Sequence, residues 1–304
     1  MELRQLQYAI QIAAEKNFSR AAEKLHIAQP SLSQQLAKLE KEIGVLLFQR
    51  NTNSVDLTYA GTVFVEKAQI ILDQVAQLRK EMDDISMMRK GKLIVGSLPI
   101  TGSHILPLVL PVFQNLYPEI EVQLVEDTTA KLESLALSGQ TDISLLSLPL
   151  LERSLAYKIL IEEEICLSVP ANHPLTRRSE GGEEQPVNIA ELAEESFIIL
   201  KRGQGFRQIS IDLCRQAGFE PKLVFESSNM DTVQSLVAAG MGIAFVPRMV
   251  ARKVSSPFTP VYLPLGGRPS RTLVIAYRND RYLSKAAEAF IETMMNVIGQ
   301  RPLG

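Results

Sequence analysis

Three patterns in the sequence predict an α/β protein that carries a helical amino-terminal domain. Apolar residues recur at helical spacing between residues 3 and 43, and a heptad repeat then runs to residue 85. From Lys92 onward, short apolar strands alternate with amphipathic helices, the order typical of mainly parallel sheets covered by helices. At 304 residues and 46% hydrophobic content, the chain is long enough for two or three globular modules.

The segment from residue 18 to residue 43 has the spacing of a helix-turn-helix. Its first helix is predicted to begin at Ser19, a suitable N-cap, and the connection from His26 to Gln29 is short. The second helix is predicted to begin at Gln29 or Pro30, because proline suits the first helical position. An amphipathic helix upstream completes a small three-helix core. The buried face of the second helix consists of Leu32, Leu36, Leu39 and Ile43.

The opposite face of the second helix carries small hydroxyl and amide side chains, where an ordinary solvated face would carry Glu and Lys. Such groups reach both phosphates and base edges in a major groove. For this stretch alone, a surface helix of any soluble protein is the alternative. The candidates for DNA contact on the two helices are Ser19, Arg20, Gln29, Pro30, Ser31, Ser33, Gln34 and Lys38.

Residues 46–50 and 54–58 predict two short strands around a polar turn. A helix-turn-helix followed by such a hairpin is a winged helix-turn-helix. Arg50 and Asn53 would contact the DNA backbone or the minor groove, where the negative potential favours a cation.

The run FSRAAEKLHIAQPSLSQQLAKLEKEIGVLLFQRN, followed by LTYAG, resembles the amino-terminal domain of LysR-type transcriptional regulators. The resemblance spans residues 1 to about 61 without a gap. It implies sequence-specific binding to double-stranded operator DNA and a linker helix that dimerises. It also implies a carboxy-terminal effector domain of two lobes, similar to a periplasmic solute-binding protein. Asn53 departs from the family pattern, since many relatives carry Arg or Lys there.

The heptad repeat predicts a long helix, Tyr59 to Met88, that pairs with a second copy of the chain. Its apolar positions alternate steps of four and three, the period of a coiled-coil seam, over a helix about 45 Å long. A helix that packs on its own domain is the alternative. We favour the dimer because no other apolar helix is available locally and because the resemblance implies it. The seam consists of Phe64, Ala68, Ile71, Val75, Leu78, Met82 and Ile85.

The charge of the chain also predicts that two copies act together. Residues 1–58 hold seven Lys and Arg against six Asp and Glu, and the whole chain has a formal net charge of −2. One such domain would neutralise few phosphates and bind DNA weakly. Paired domains would contact half-sites about one helical turn apart, ~34 Å, or a multiple of it. We predict a homodimer through the linker helix, its assembly into a homotetramer, and RNA polymerase as a further partner.

These patterns divide the chain into a DNA-binding domain (1–58), a linker helix (59–90) and an effector domain (91–304). Gly91 is expected to end the linker helix. Following the resemblance, lobe I comprises residues 91–161 and 268–304, and lobe II comprises residues 162–267. The chain is expected to cross between the lobes near Glu162 and Gly267.

In open α/β sheets, ligands bind beyond the carboxyl ends of the strands, and the resemblance points to the same loops. Exposed N–H groups at the helix starts favour an anion, so we predict a small organic or amino-acid-like anion as the inducer. Any single Ser or Thr could instead serve only as an N-cap. The candidates in lobe I are Ile100, Thr101, Ser103, Thr128, Thr129, Ser147 and Leu148. Those in lobe II are Lys201, Gly203, Gln204, Phe206, Asn229, Phe245 and Pro247.

Other classes of function find little support in the sequence. The three histidines lack metal-ligand spacing, and there is no nucleophile elbow, P-loop or dinucleotide fingerprint, so we predict no catalysis, metal or cofactor. Cys166 and Cys214 are expected to be buried thiols. Without a signal peptide or apolar span, we expect a cytoplasmic protein. Two alternatives stay open: a solute-binding receptor with a helical prefix, and a DNA-binding scaffold without a small-molecule effector.

Overall fold

The computed structural model describes residues 1–50, 55–85, 91–179, 185–252 and 256–299. The chain divides into two compact units, Met1–Met87 and Met88–Gly304. Asn53 and the predicted end of the linker helix near Arg89 lie outside the described residues. The domain and lobe boundaries given above stay predictions, and we keep the names lobe I and lobe II for those residue ranges.

The first unit consists of helices and one short hairpin. Its elements are α1 (Leu3–Glu15), α2 (Phe18–Lys24), α3 (Gln29–Ile43), β1 (Phe48–Arg50), β2 (Val55–Leu57) and α4 (Tyr59–Ile85). The predicted apolar face of α3 is confirmed, because Leu32, Leu36 and Leu39 are buried and Ile43 packs at the edge of the same core. That core also takes in Ala9 and Ile12 of α1 and the two alanines of α2.

The start of α2 differs from the prediction. Ser19 is not the N-cap, because the Asn17 side-chain oxygen accepts hydrogen bonds from the backbone N–H groups of Ser19 and Arg20 at 2.9 and 3.1 Å. Asn caps a helix about as well as Ser. The earlier start places Phe18 inside the helix, where its ring is buried against Phe48 of the hairpin.

The linker helix α4 is partly packed and partly exposed. It contacts α1 within the same unit, so the premise that no apolar helix lies nearby was wrong. Ala68 is buried and Phe64 packs on the core of the unit. Farther along the heptad seam, Ile71, Leu78 and Met82 are 41, 57 and 49% exposed. The alternative of a packed amphipathic helix therefore holds for the start of α4, whereas its carboxy-terminal part presents an apolar stripe.

The second unit alternates strands and helices as predicted. Its strands are β3 (Gly91–Ser97), β4 (Ile120–Glu126), β5 (Ile143–Ser147), β6 (Leu155–Val169), β7 (Ser196–Leu200), β8 (Lys222–Ser227), β9 (Ala244–Pro247), β10 (Val261–Pro264) and β11 (Ser270–Arg278). Its helices are α5 (Pro99–Leu116), α6 (Thr129–Leu137), α7 (Gly205–Gln216), α8 (Met230–Ala238) and α9 (Lys285–Gly299). Short 3₁₀ helices cover Pro174–Ser179, Ile189–Leu192 and Arg248–Val250.

The sheets are mixed, which corrects the expectation of mainly parallel pairing. β3 pairs in parallel with β4 and β5, but β11 is antiparallel to both β5 and β6. The long strand β6 belongs to both lobes: Glu164 pairs with Ser270 of β11, and the next residue, Ile165, pairs with Pro247 of β9. β6 therefore carries the chain from one sheet to the other without a break.

Three apolar clusters hold this unit together. One lies between the lobe I sheet and helices α5 and α9, and it includes Phe113 and Phe290. A smaller cluster lies on the α6 side of that sheet, around Leu132 and Leu146. The third fills lobe II and includes Phe197 and Phe245. Each lobe therefore has its own core.

Candidate DNA interface and effector cleft

The outward face of α3 is the first candidate site. The helix begins at Gln29, with Pro30 in its first turn, and Gly44 ends it in a left-handed conformation (φ 78°). The Gln29 Nε2 group donates a hydrogen bond to Ser33 Oγ at 2.9 Å, which links two of the predicted contact residues. Ser33 is half-buried, and the remaining candidates on this helix are exposed: Gln29, Pro30, Ser31, Gln34 and Lys38.

Ser19 and Arg20 lie exposed in the first turn of α2. The Arg20 guanidinium donates to the Glu15 carbonyl oxygen at 3.0 Å. Lys24 forms an ion pair with the Glu15 carboxylate at 2.6 Å, and this hydrogen-bonded contact lowers the pKa of Glu15. Arg20 is therefore held at the surface by the carboxyl end of α1.

The hairpin β1–β2 occupies the place of the predicted wing. The Glu40 carboxylate of α3 accepts hydrogen bonds from the backbone N–H groups of Leu47 and Phe48 at 2.7 and 3.2 Å, which fixes the hairpin against α3. Arg50 is the last residue of β1 and pairs with Val55. Of the two wing candidates, Asn53 lies outside the described residues.

Three lobe I candidates carry buried hydroxyl groups at one edge of the sheet. Thr101 lies in the first turn of α5, Thr129 begins α6, and Ser147 ends β5. These positions follow the parallel strands β3 and β4 and end β5, so they share the edge where the strands end. Their exposed fractions are 0, 6 and 5%, and none of the three hydroxyl groups has a hydrogen-bond partner in the described chain. Because native proteins usually satisfy buried polar groups, this arrangement suits a polar ligand that would complete them.

The loop before α7 brings lobe II against these residues. A Cβ atom added to Gly205 would lie 2.8 Å from Thr129 Oγ1, and one added to Gly203 would lie 3.8 Å from Thr128 Cγ2. The amino-terminal ends of α6 and α7 therefore meet across the cleft between the lobes. Both ends favour negative charge, since their first backbone N–H groups lack partners within the helix.

Several other candidates have ordinary structural roles. Ser103 donates a hydrogen bond from Oγ to the Ile100 carbonyl oxygen at 3.1 Å, and the Asn229 side chain caps α8. Phe245 packs in the lobe II core with its ring centroid 5.5 Å from that of Phe197. Pro247 is part of β9, paired with β6 where that strand passes between the sheets.

The remaining candidates lie in different environments. Ile100 of lobe I packs against the lobe II core, and Leu148 packs against the small cluster beside α6. Lys201 is exposed, and half-buried Gln204 precedes the first residue of α7. Phe206 is buried in the first turn of α7. The structure therefore brings Thr128 and Thr129 next to the loop that holds Gly203, and leaves Ser103 and Asn229 at exposed positions.

Sequence reasoning missed Gly205 and the buried pair Glu163 and Arg271. Gly205 belongs to the run Gly203-Gln204-Gly205 immediately before a helix, and the second glycine of that run was a usable signal. The ion pair joins residues 108 positions apart, and no local pattern indicates it.

Both cysteines are buried in the lobe II core, at 1 and 0% exposure. Burial raises the pKa of each thiol to about 12, which keeps Cys166 and Cys214 protonated near neutral pH. Cys166 also donates from Sγ to the Val246 carbonyl oxygen at 3.2 Å. The reactive form of a cysteine is the thiolate, which burial disfavours at both positions.

Among the described helices, none is both long and apolar enough to cross a membrane. Fold and site together define a regulator with an amino-terminal DNA-binding domain and a carboxy-terminal ligand-binding domain. The chain belongs to the LysR family. Residues 3–62 match the family model of bacterial regulatory helix-turn-helix proteins of the lysR family, and residues 88–298 match the model of the LysR substrate binding domain.

Similar proteins cover nearly the whole chain. It is 40% identical to the uncharacterized HTH-type transcriptional regulator YcgK of Bacillus subtilis (strain 168), over 96% of this chain and 93% of that protein. It is 30% identical to the DNA-binding transcriptional dual regulator OxyR of Escherichia coli (strain K12), over 97% and 95% of the two chains. The structure of a full-length OxyR variant from Pseudomonas aeruginosa superposes with a TM-score of 0.74 at 29% identity, covering 100% of this chain and 96% of that one. The chain is thus a LysR-type DNA-binding transcriptional regulator.

Proposed function

We propose that the exposed polar face of α3 reads operator sequence in the major groove of DNA. The observation that carries this proposal is the pairing of a leucine face buried in the core with an outward face of hydroxyl and amide side chains. Arg20, Arg50 and Lys38 would position the domain through backbone phosphates. Asn53 would join the minor-groove contact of the wing.

We propose that the apolar stripe on α4 pairs with the same stripe of a second copy. Leu78 and Met82 are about half exposed, and a continuous apolar stripe on a long helix is typical of a surface covered by a partner. Among the described strands, β8 pairs only with β7, and it exposes Leu223, Val224 and Phe225, which supports a second interface and hence a tetramer. Such an assembly would act on the chromosome in the cytoplasm and contact RNA polymerase there.

We propose that a small organic anion binds between the lobes and acts as the inducer. Thr101, Thr129 and Ser147 would donate hydrogen bonds to it, and the amino-terminal ends of α6 and α7 would stabilise its charge. Each helix end contributes about 0.3–1 kcal/mol for an anion at an exposed site. Lys201 and the backbone at Gly203 would close the site from lobe II.

The ligand would act by favouring one arrangement of the lobes, and hence of the paired DNA-binding domains. The shift can be no larger than the difference in affinity of the ligand for the two arrangements. The test combines a thermal-shift screen of the full chain against organic anions with footprinting of each stabilising compound. Stabilisation together with altered protection supports the proposal, and a broad panel without either result supports the scaffold alternative.

Sensing of peroxide by a thiol is the second candidate, because several similar proteins are named hydrogen peroxide-inducible genes activators. The burial of Cys166 and Cys214 and their raised pKa argue against it here. We therefore assign the cleft to a bound organic ligand. Footprinting with peroxide in place of an anion distinguishes the two functions, since a thiol sensor would change DNA protection without any added anion.

A further inference from the structure

A buried ion pair joins the two strands that connect the lobes. Glu163 of β6 and Arg271 of β11 lie directly opposite each other in the antiparallel register. Arg271 Nε donates to Glu163 Oε2 at 2.7 Å, and an Arg271 terminal nitrogen lies 2.6 Å from the same oxygen. Both side chains are 1% exposed. The pair sits one residue before the last β11 contact of β6, after which β6 joins the lobe II sheet.

The same pair contacts the effector cleft and the 3₁₀ helix Arg248–Val250. The Arg271 guanidinium lies 5.4 Å from the centroid of the Phe206 ring, in the first turn of α7. The other Glu163 oxygen, Oε1, accepts a hydrogen bond from the Met249 backbone N–H at 2.8 Å. Met249 packs against the cores of both lobes. One ion pair therefore links the cleft wall, both connecting strands and a residue shared by the two cores.

Such a pair adds little to stability compared with an apolar alternative. Two buried charges lose their hydration, and an apolar pair of similar volume is often as stable. Burial lowers the pKa of Arg271, and the nearby Glu163 carboxylate opposes that effect. Arginine differs from lysine in that its planar group can bind a carboxylate and stack on a ring at the same time. Here the guanidinium binds Glu163 and lies over the Phe206 ring, as in a cation–π contact.

We propose that Arg271 is a positioning residue that couples the effector cleft to the connection between the lobes. A displacement of α7 moves Phe206, the guanidinium above its ring transmits that movement to Glu163, and Glu163 transmits it to the backbone at Met249. This inference rests on the proposed function of the cleft, because it takes the start of α7 as the ligand-binding wall. It names the contacts by which ligand binding would change the arrangement of the lobes.

The test displaces α7 by substitution of Gly205 in the full chain, without ligand or DNA. A side chain at Gly205 must push against Thr129, since a Cβ there lies 2.8 Å from Thr129 Oγ1. Gly205→Ala is the mild variant, because rotation of the Thr129 side chain relieves its close contact, and Gly205→Leu is the variant whose longer side chain displaces the start of α7. Gly299→Leu is the control, because a Cβ at Gly299 meets no atom within 4 Å beyond its own helix among the described residues. Amide hydrogen exchange is then measured over Arg248–Val250.

We expect Gly205→Leu to change the exchange rate of the Met249 amide by about threefold or more, the factor that corresponds to ~0.6 kcal/mol of coupling. The change should fall below threefold in the Glu163→Gln/Arg271→Met background, which keeps an oxygen acceptor for Met249 but removes both charges. The change in the Met249 exchange rate should persist in the Arg215→Met/Glu220→Gln background. That control removes an exposed ion pair at the far end of α7. If the double variant does not fold, Arg271→Lys replaces it. This variant keeps the charge but lacks the planar guanidinium, and the change should again fall below threefold.

An unchanged Met249 amide in Gly205→Leu would overturn the proposal, and so would an equal change in all backgrounds. Because exchange is measured on the free protein, this result is independent of the search for an inducer. Failure of the anion screen with intact coupling would count against the ligand assignment only. Loss of coupling with a successful screen would count against the role of Arg271 only.

Discussion

Replacing Thr101 by valine should stabilise the ligand-free protein and weaken ligand binding at the same time. The Thr101 hydroxyl is fully buried and has no hydrogen-bond partner in the described chain. A buried polar group without a partner costs about 1–3 kcal/mol, and valine has the same shape without the hydroxyl. We therefore expect the free energy of unfolding to rise by about 1 kcal/mol. In a unit of this size that corresponds to a melting temperature about 2–4 °C higher.

The matched control for this substitution is Thr293→Val in α9. Thr293 is nearly as buried as Thr101, with exposed fractions of 6 and 0%, but the Thr293 hydroxyl donates to the Ala289 carbonyl oxygen at 2.8 Å. Thr293→Val should lower the free energy of unfolding by about 1 kcal/mol, because a satisfied hydrogen bond is lost. Both proteins are compared by denaturant unfolding of the full chain. With a compound from the screen, Thr101→Val should bind about tenfold more weakly and Thr293→Val as tightly as the parent.

Destabilisation of Thr101→Val to the same extent as Thr293→Val would refute this reasoning. It would mean that the Thr101 hydroxyl already makes a favourable interaction in the free protein. The buried hydroxyl groups of Thr101, Thr129 and Ser147 would then be part of the packing of lobe I and would not mark a ligand site.

Three further predictions concern DNA, assembly and the thiols. Ser33→Ala and Gln34→Ala should each reduce discrimination between operator sequences by about 1–3 kcal/mol, whereas Lys38→Ala should weaken binding to all sequences equally. Competition binding between operator variants measures both effects. Uniform weakening by all three substitutions would mean that the three side chains contact phosphates. Leu78→Glu and Met82→Glu should shift the chain toward monomers in sedimentation, because both side chains lie on the exposed apolar stripe. The control Gln74→Glu should leave the sedimenting mass unchanged. An unchanged mass for every variant would contradict the α4 interface. Cys166 and Cys214 should resist a thiol reagent at pH 8 and react after unfolding. Because their pKa rises on folding to about 12, their contribution to stability is present at neutral pH and is lost as the pH rises toward that value. Rapid labelling of the native chain would contradict this assignment.

Local patterns in the sequence predicted the parts of the fold that depend on periodicity. The buried face of α3 follows from the spacing of Leu32, Leu36 and Leu39, and the structure places all three in the core. The first half of β6 escaped detection because Glu162, Glu163 and Glu164 interrupt its apolar pattern. Antiparallel pairing with β11 nevertheless extends the strand through them. The cap of α2 was misplaced because Asn17 and Ser19 are nearly equivalent capping residues, and the packing of Phe18 decides between them.

The strand-end rule indicates a region for the cleft, but local sequence does not rank the candidates within it. Thr101, Thr129 and Ser147 were among the candidates, but nothing in their local sequence separates them from Ser103, which bonds to its own helix. Burial makes that distinction, and burial depends on the tertiary fold. The close approach of Gly205 to Thr129 and the pairing of Glu163 with Arg271 arise between segments far apart in the chain. Only the three-dimensional structure brings them together.

The central claim is that two copies of this chain place their α3 helices in successive major grooves of one operator. The most direct measurement selects duplexes from a random-sequence library with the full chain and then determines the mass of the complex on the enriched duplex. We expect an inverted repeat with half-sites about one helical turn apart, or a multiple of it, occupied by an even number of copies. A single copy bound per duplex, or a library without any enriched sequence, would contradict it.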